Sequence, residues 1–146
     1  MEEVNNGSKF TWRVLFLEAQ ASCGYKLSQD VESYVVLTLD NFMLDSNFFT
    51  PALSTEFLQS LELSGKMLAI KLRYIGDSCL LLSGLFPEQA TKKNVNLGYF
   101  VNLGKNAYGT LSQKNNNAYS KGLFIDMCNN FVGVMDILNQ MRGISN

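Results

Sequence analysis

The chain has 146 residues, with twelve lysines and arginines against thirteen aspartates and glutamates, so its net charge is close to zero. Nucleic-acid binding leaves a basic stripe, and the charges here are scattered. The largest cluster is Lys92-Lys93, so nucleic acid is not expected as a partner. The sequence contains no histidine. That excludes Ser-His-Asp and Cys-His catalysis, zinc sites with histidine ligands and the Glu-x-x-His di-iron pattern of helical bundles.

A chain of this length is expected to bury roughly 70% of its unfolded surface as one domain. Cys23, Cys79 and Cys128 are widely spaced and form no Cys-x-x-Cys pair, which suggests reduced thiols. The acidic, polar start is not a signal peptide. The longest apolar run, Cys79 to Phe86, is far shorter than the ~20 residues a membrane span needs. A cytoplasmic location without membrane contact is expected.

Residues 1–7 read as a disordered tail, and 8–146 as a single domain. From Ser8, Trp12, Leu15, Phe16, Ala19 and Cys23 recur at spacings of three and four, a helical period. Val14, Leu17 and Ala21 make the other side apolar, predicting a well-covered helix. Gly24 ends it. Ser28 caps a second helix whose inward stripe is Val31, Tyr34, Val35, Thr38 and Phe42. The run SYVVLTL is rich in β-branched residues and could form a strand, but its spacing fits 3.6 and not 2.

Asp45 to Thr50 reads as a loop carrying Phe48 and Phe49. Thr50-Pro51 then starts a short third helix with Leu53, Phe57, Leu58 and Leu61 inward. The fourth run begins at Ser64-Gly65, and Leu68, Leu72, Ile75, Cys79 and Leu82 form its seam. Gly76, in mid-seam, marks a helix crossing or a kink. Pro87 ends this run near Gly84, and a polar connector follows.

Asn96 caps the fifth helix, with Phe100, Val101, Gly104, Tyr108 and Leu111 as its stripe. Glycines 98, 104 and 109 would allow a neighbour to approach closely. Gln113 to Asn117 is loop. In the sixth helix Phe124, Met127, Phe131, Val134, Leu138 and Met141 are spaced three, four, three, four, three. The expected fold is therefore all-α, a compact bundle of about six helices with the last three at its core.

Two near-motifs fall short of chemistry. Gly76-Asp77-Ser78 opens like a GDSL hydrolase block with Ser78 as nucleophile, but no histidine base exists to activate it. Gly98 to Lys105 has five residues where a P-loop has four, and Asn106 stands where Ser or Thr would hold magnesium. Carboxylates are dispersed. No metal site, cofactor or catalytic set is expected, and the chain reads as a non-enzyme.

Arg73 and Asp77, four apart, share one face of the fourth helix. They form either a surface ion pair or a partly buried polar site beside Gly76 that meets Tyr99 or Tyr108. The last helix has a wider apolar face than a small bundle buries. Its Phe131, Val134 and Leu138 are the candidate interface of a protein-interaction or regulatory module, with a protein partner or a second copy. The alternative is a small-molecule pocket between the 66–84 and 96–112 helices, oriented by Arg73, Asp77, Tyr99 and Tyr108.

GDSCLLLSGLFP, followed a dozen residues later by YFVNLGKNAY, resembles a family of small bacterial proteins without an assigned activity. The resemblance spans 66 to about 112. It implies a bacterial origin and a compact helical unit, and assigns no site residues.

Overall fold

A computed structural model describes residues 2–44, 53–91 and 96–145, and among them every regular element is helical. The helices are α1 (Glu2–Cys23), α2 (Gln29–Leu44), α3 (Leu53–Ser60), α4 (Gly65–Leu85), α5 (Pro87–Thr91), α6 (Leu97–Lys114), α7 (Ala118–Asn129) and α8 (Phe131–Ser145). The loop expected at 45–50, the Thr50-Pro51 start and Lys92-Lys93 lie outside the described residues.

The axis of the bundle is α4, which packs on α3, α5, α6 and α8. In its first half only the seam positions Leu68, Leu72 and Ile75 turn inward. From Ser78 to Gly84 every residue is buried, so the helix passes from the surface into the centre. Three small residues let its neighbours close in. A Cβ at Gly76 would come within 2.6 Å of the Tyr108 ring, one at Gly84 within 2.8 Å of Leu138, and one at Gly104 within 2.5 Å of Phe131. Glycines 76, 84 and 104 thus set the approach of α6 and α8 to the axis.

Local signals account for several helix ends. Gly24 has φ +75°, where glycine is at ease, and its N–H donates to Ala21 O at the end of α1. The Ser28 hydroxyl accepts from Val31 N (3.2 Å). The Asn96 side chain accepts from Gly98 N (2.8 Å), and that of Asn117 accepts from Tyr119 N and Ser120 N. SYVVLTL is helical because α2 buries Val31, Tyr34, Val35 and Thr38 along one stripe.

Four expectations are corrected. The helix begins at Glu2, so the segment read as a tail belongs to α1 from that residue onward. Val14 and Leu17 lie at the surface, so α1 is covered on one side only, by α2 and α8. Pro87–Thr91 is a short helix where a connector was expected, with Pro87 at its first position. The single last helix is two. Asn130 has φ −101° and ψ 13°, its side chain donates to Asp126 O (2.9 Å), and its own carbonyl accepts from Val134 N (2.8 Å). An asparagine that bonds the local backbone competes with helix continuation. The break sends α7 onto α6 and α2, and α8 onto α1 and α4.

Candidate functional site

Four helices meet at one carboxylate. Asp77 on α4 accepts two hydrogen bonds on the same oxygen, Oδ1: one from the Tyr34 hydroxyl of α2 and one from the Tyr108 hydroxyl of α6, each 2.7 Å. Phe124 of α7 closes the group. Its ring stacks on Tyr108 (centroids 6.0 Å apart, 21° between planes) and meets the edge of Tyr34 (5.5 Å, 87°). One turn before Asp77, the exposed Arg73 lays its guanidinium 5.3 Å from the centre of the Tyr34 ring and 5.9 Å from that of Phe124. Both distances are within cation–π range. Arg73 and Asp77 are thus a polar site joined through Tyr34.

Burial disfavours a charge on the Asp77 carboxyl and raises its pKa, although both tyrosine hydrogen bonds and the Arg73 charge oppose the rise. Burial, reinforced by the adjacent carboxylate, puts Tyr34 and Tyr108 well above the usual phenol value. At Arg73 the partial loss of solvent around the guanidinium works against the charge, but Tyr34, Asp77 and Tyr108 outweigh it and raise the pKa. Both phenols therefore stay protonated near neutrality and act as donors. They hold the carboxylate; they are not bases.

Of the residues singled out in the sequence, Arg73, Asp77 and Tyr108 come together, and Tyr99 does not. Tyr99 is 42% exposed on another face of α6, with its ring against Phe100 (5.3 Å). The space expected to hold a ligand between α4 and α6 is occupied at Gly76 by the Tyr108 ring. Phe131, Val134 and Leu138, read as an interface, are each 0% exposed in the chain's own core. Phe131 fills the notch at Gly104, and Leu138 the one at Gly84.

The residue that sequence reading missed is Tyr34, which it placed in the α2 stripe as an apolar side chain. The available signal was its hydroxyl, because a buried tyrosine normally finds a partner.

Nucleophilic chemistry finds little here. Ser78 is fully buried in mid-helix, and burial pushes the Cys79 thiol up to about 12. Cys23, Cys79 and Cys128 are free thiols. Among the described residues no group of three or more histidine, cysteine, aspartate or glutamate side chains is placed to hold a metal ion. No helix of those residues is long and apolar enough to cross a membrane. Compared with protein-family models, curated proteins and solved structures, the chain matches none.

Proposed function

We propose that the chain acts by binding rather than catalysis, as a protein-interaction module that pairs with a second copy through the α3–α4 corner. One observation carries this reading. Leu58, Leu61, Leu63, Met67 and Ile70 are all exposed within a thirteen-residue stretch, Leu58 at 67% and Met67 at 62%. Single exposed apolar residues are ordinary, whereas several gathered at one corner mark an interaction site.

The flanking charges favour a second copy as the occupant. Glu62 and Lys66, both exposed, sit four residues apart within the row. A two-fold interface pairs a patch with itself, so a patch carrying both signs can satisfy each from the other copy. A net charge of −1 adds almost no repulsion between copies.

Sedimentation across a dilution series tests the reading. A concentration-dependent dimer is expected, and Met67→Glu with Ile70→Lys shifts it to monomer without disturbing the fold, because both residues lie at the surface. A monomer at every concentration, or a dimer indifferent to the two substitutions, overturns it.

A further inference from the structure

Beside the exposed row at the α3–α4 corner lies a groove of about 360 Å³, between the first turn of α4 and the last turn of α6. Leu63, Leu68, Ala69 and Leu111 supply its apolar lining, and Lys66 and Lys114 its charge. Leu63 and Lys66 belong to the groove and to the row at once, so the two form one continuous surface. Every residue from 61 to 67 is exposed, so the link between α3 and α4 is a projection next to a recess. That link carries Glu62. Among the described residues Glu62, Lys66 and Lys114 make no ion pair. One copy therefore presents an unpaired anion on the projection and two unpaired cations at the recess.

We propose that, in the self-associated form, the α3–α4 link of each copy seats in the groove of the other, with Glu62 of one chain against Lys114 of its partner. The seating rests on the self-association reading and adds its register. Lys114 comes from α6, the side of the groove away from the link, so it is the cation that a turn entering from outside meets. Lys66, on the near side, adds a second positive charge. Leu61, 52% exposed beside Glu62, then covers the apolar lining. A two-fold axis makes the same contact twice, projection into recess in both directions. Opposite charges placed in this way fix the register of an interface more than its affinity.

Charge reversal tests the seating. Sedimentation across a dilution series compares the full-length parent with Glu62→Lys, with Lys114→Glu, with the double variant, and with an equimolar mixture of the two single variants. Each single variant is expected to weaken the dimer by about tenfold or more, because two attractive contacts become two repulsive ones. The double variant dimerises again, since both charges of every contact are reversed together. The mixture dimerises too, because each single variant then faces opposite charges on the other. Restoration by a second charge separates lost contact from lost folding, and circular dichroism of all four proteins stays that of the parent. If the parent dimerises and the single variants match it, or the mixture stays monomeric, Glu62 does not seat against Lys114 and the register is overturned while self-association stands. A parent that is monomeric at every concentration removes the second copy as the occupant and overturns both.

Discussion

The ring of Tyr108 lies where a side chain at position 76 would be, and its hydroxyl donates to Asp77, the next residue along α4. Position and partner are therefore coupled: the ring can reach Oδ1 at 2.7 Å because Gly76 has no Cβ. Gly76→Ala pushes a methyl to within 2.6 Å of Cε1 on a ring held by both Asp77 and Phe124. Overpacking costs about 1–3 kcal/mol and outweighs the roughly 1 kcal/mol that alanine adds in helix propensity. Urea unfolding should show a net loss of about 1 kcal/mol, the difference between these two terms. Gly122→Ala is the matched control, since nothing lies within 4 Å of its Cβ on α7. It should gain about 0.5–1 kcal/mol. A Gly76→Ala variant as stable as Gly122→Ala would show that the crossing is loose.

The two phenols share one acceptor, so their removal is not additive. Tyr108→Phe leaves Asp77 with the Tyr34 donor, and Tyr34→Phe leaves it with Tyr108. Each single change should cost about 1.5–3 kcal/mol, the range for hydrogen bonds to a charged group. The double change leaves the carboxylate without either donor and should cost more than the sum of the two. The excess is read as the coupling energy of a double-mutant cycle. A coupling energy of zero would mean that Oδ1 is satisfied by solvent once the first donor is gone.

The raised pKa of Asp77 fixes the sign of a pH effect. In the folded state the carboxyl keeps its proton to higher pH than in the unfolded chain, whose value is the ordinary 3.8. Between those two values the folded state binds more protons, and stability falls as pH rises. The contribution is complete below 3.8 and is lost as pH passes through the folded-state value. Asp77→Asn keeps an oxygen acceptor for both phenols and removes the titration. Measured upward from pH 4, the stability of the parent should decline relative to this variant. A parent that gains on the variant as pH rises would mean that the two hydrogen bonds and Arg73 outweigh burial.

Signals carried by neighbouring residues were legible in the sequence. Ser28, Asn96, Gly24 and Pro87 act within a few positions of the helix ends that they define. The crossing at Gly76 was legible too, because a glycine in an apolar seam is costly without a close neighbour. The break at Asn130 was hidden, since spacings of three and four run through it from Phe124 to Met141. A tight break preserves the pattern while redirecting the chain. Partner identity was the harder problem. Tyr34 and Asp77 are 43 positions apart, and no local spacing joins them. For Tyr99 the spacing did hold the answer. Nine residues at 3.6 per turn put it about half a turn away from Tyr108, so the two could not address one site.

Ser78 supplies the last prediction, and it concerns the triplet that resembles a hydrolase block. Its hydroxyl is buried in α4 and has no hydrogen-bond partner among the described residues. An unsatisfied buried hydroxyl costs about 1–3 kcal/mol, and alanine is also the better helix former. Ser78→Ala should therefore stabilise the protein by roughly 1 kcal/mol or more in urea unfolding, the low end of that range. The smaller side chain leaves only the space of one oxygen atom, so the cavity term is minor. A loss of stability would mean that the hydroxyl bonds to the backbone one turn earlier, as Ser83 does to the Cys79 carbonyl at 2.7 Å. Stabilisation would identify Ser78 as a helix residue whose oxygen serves neither packing nor hydrogen bonding.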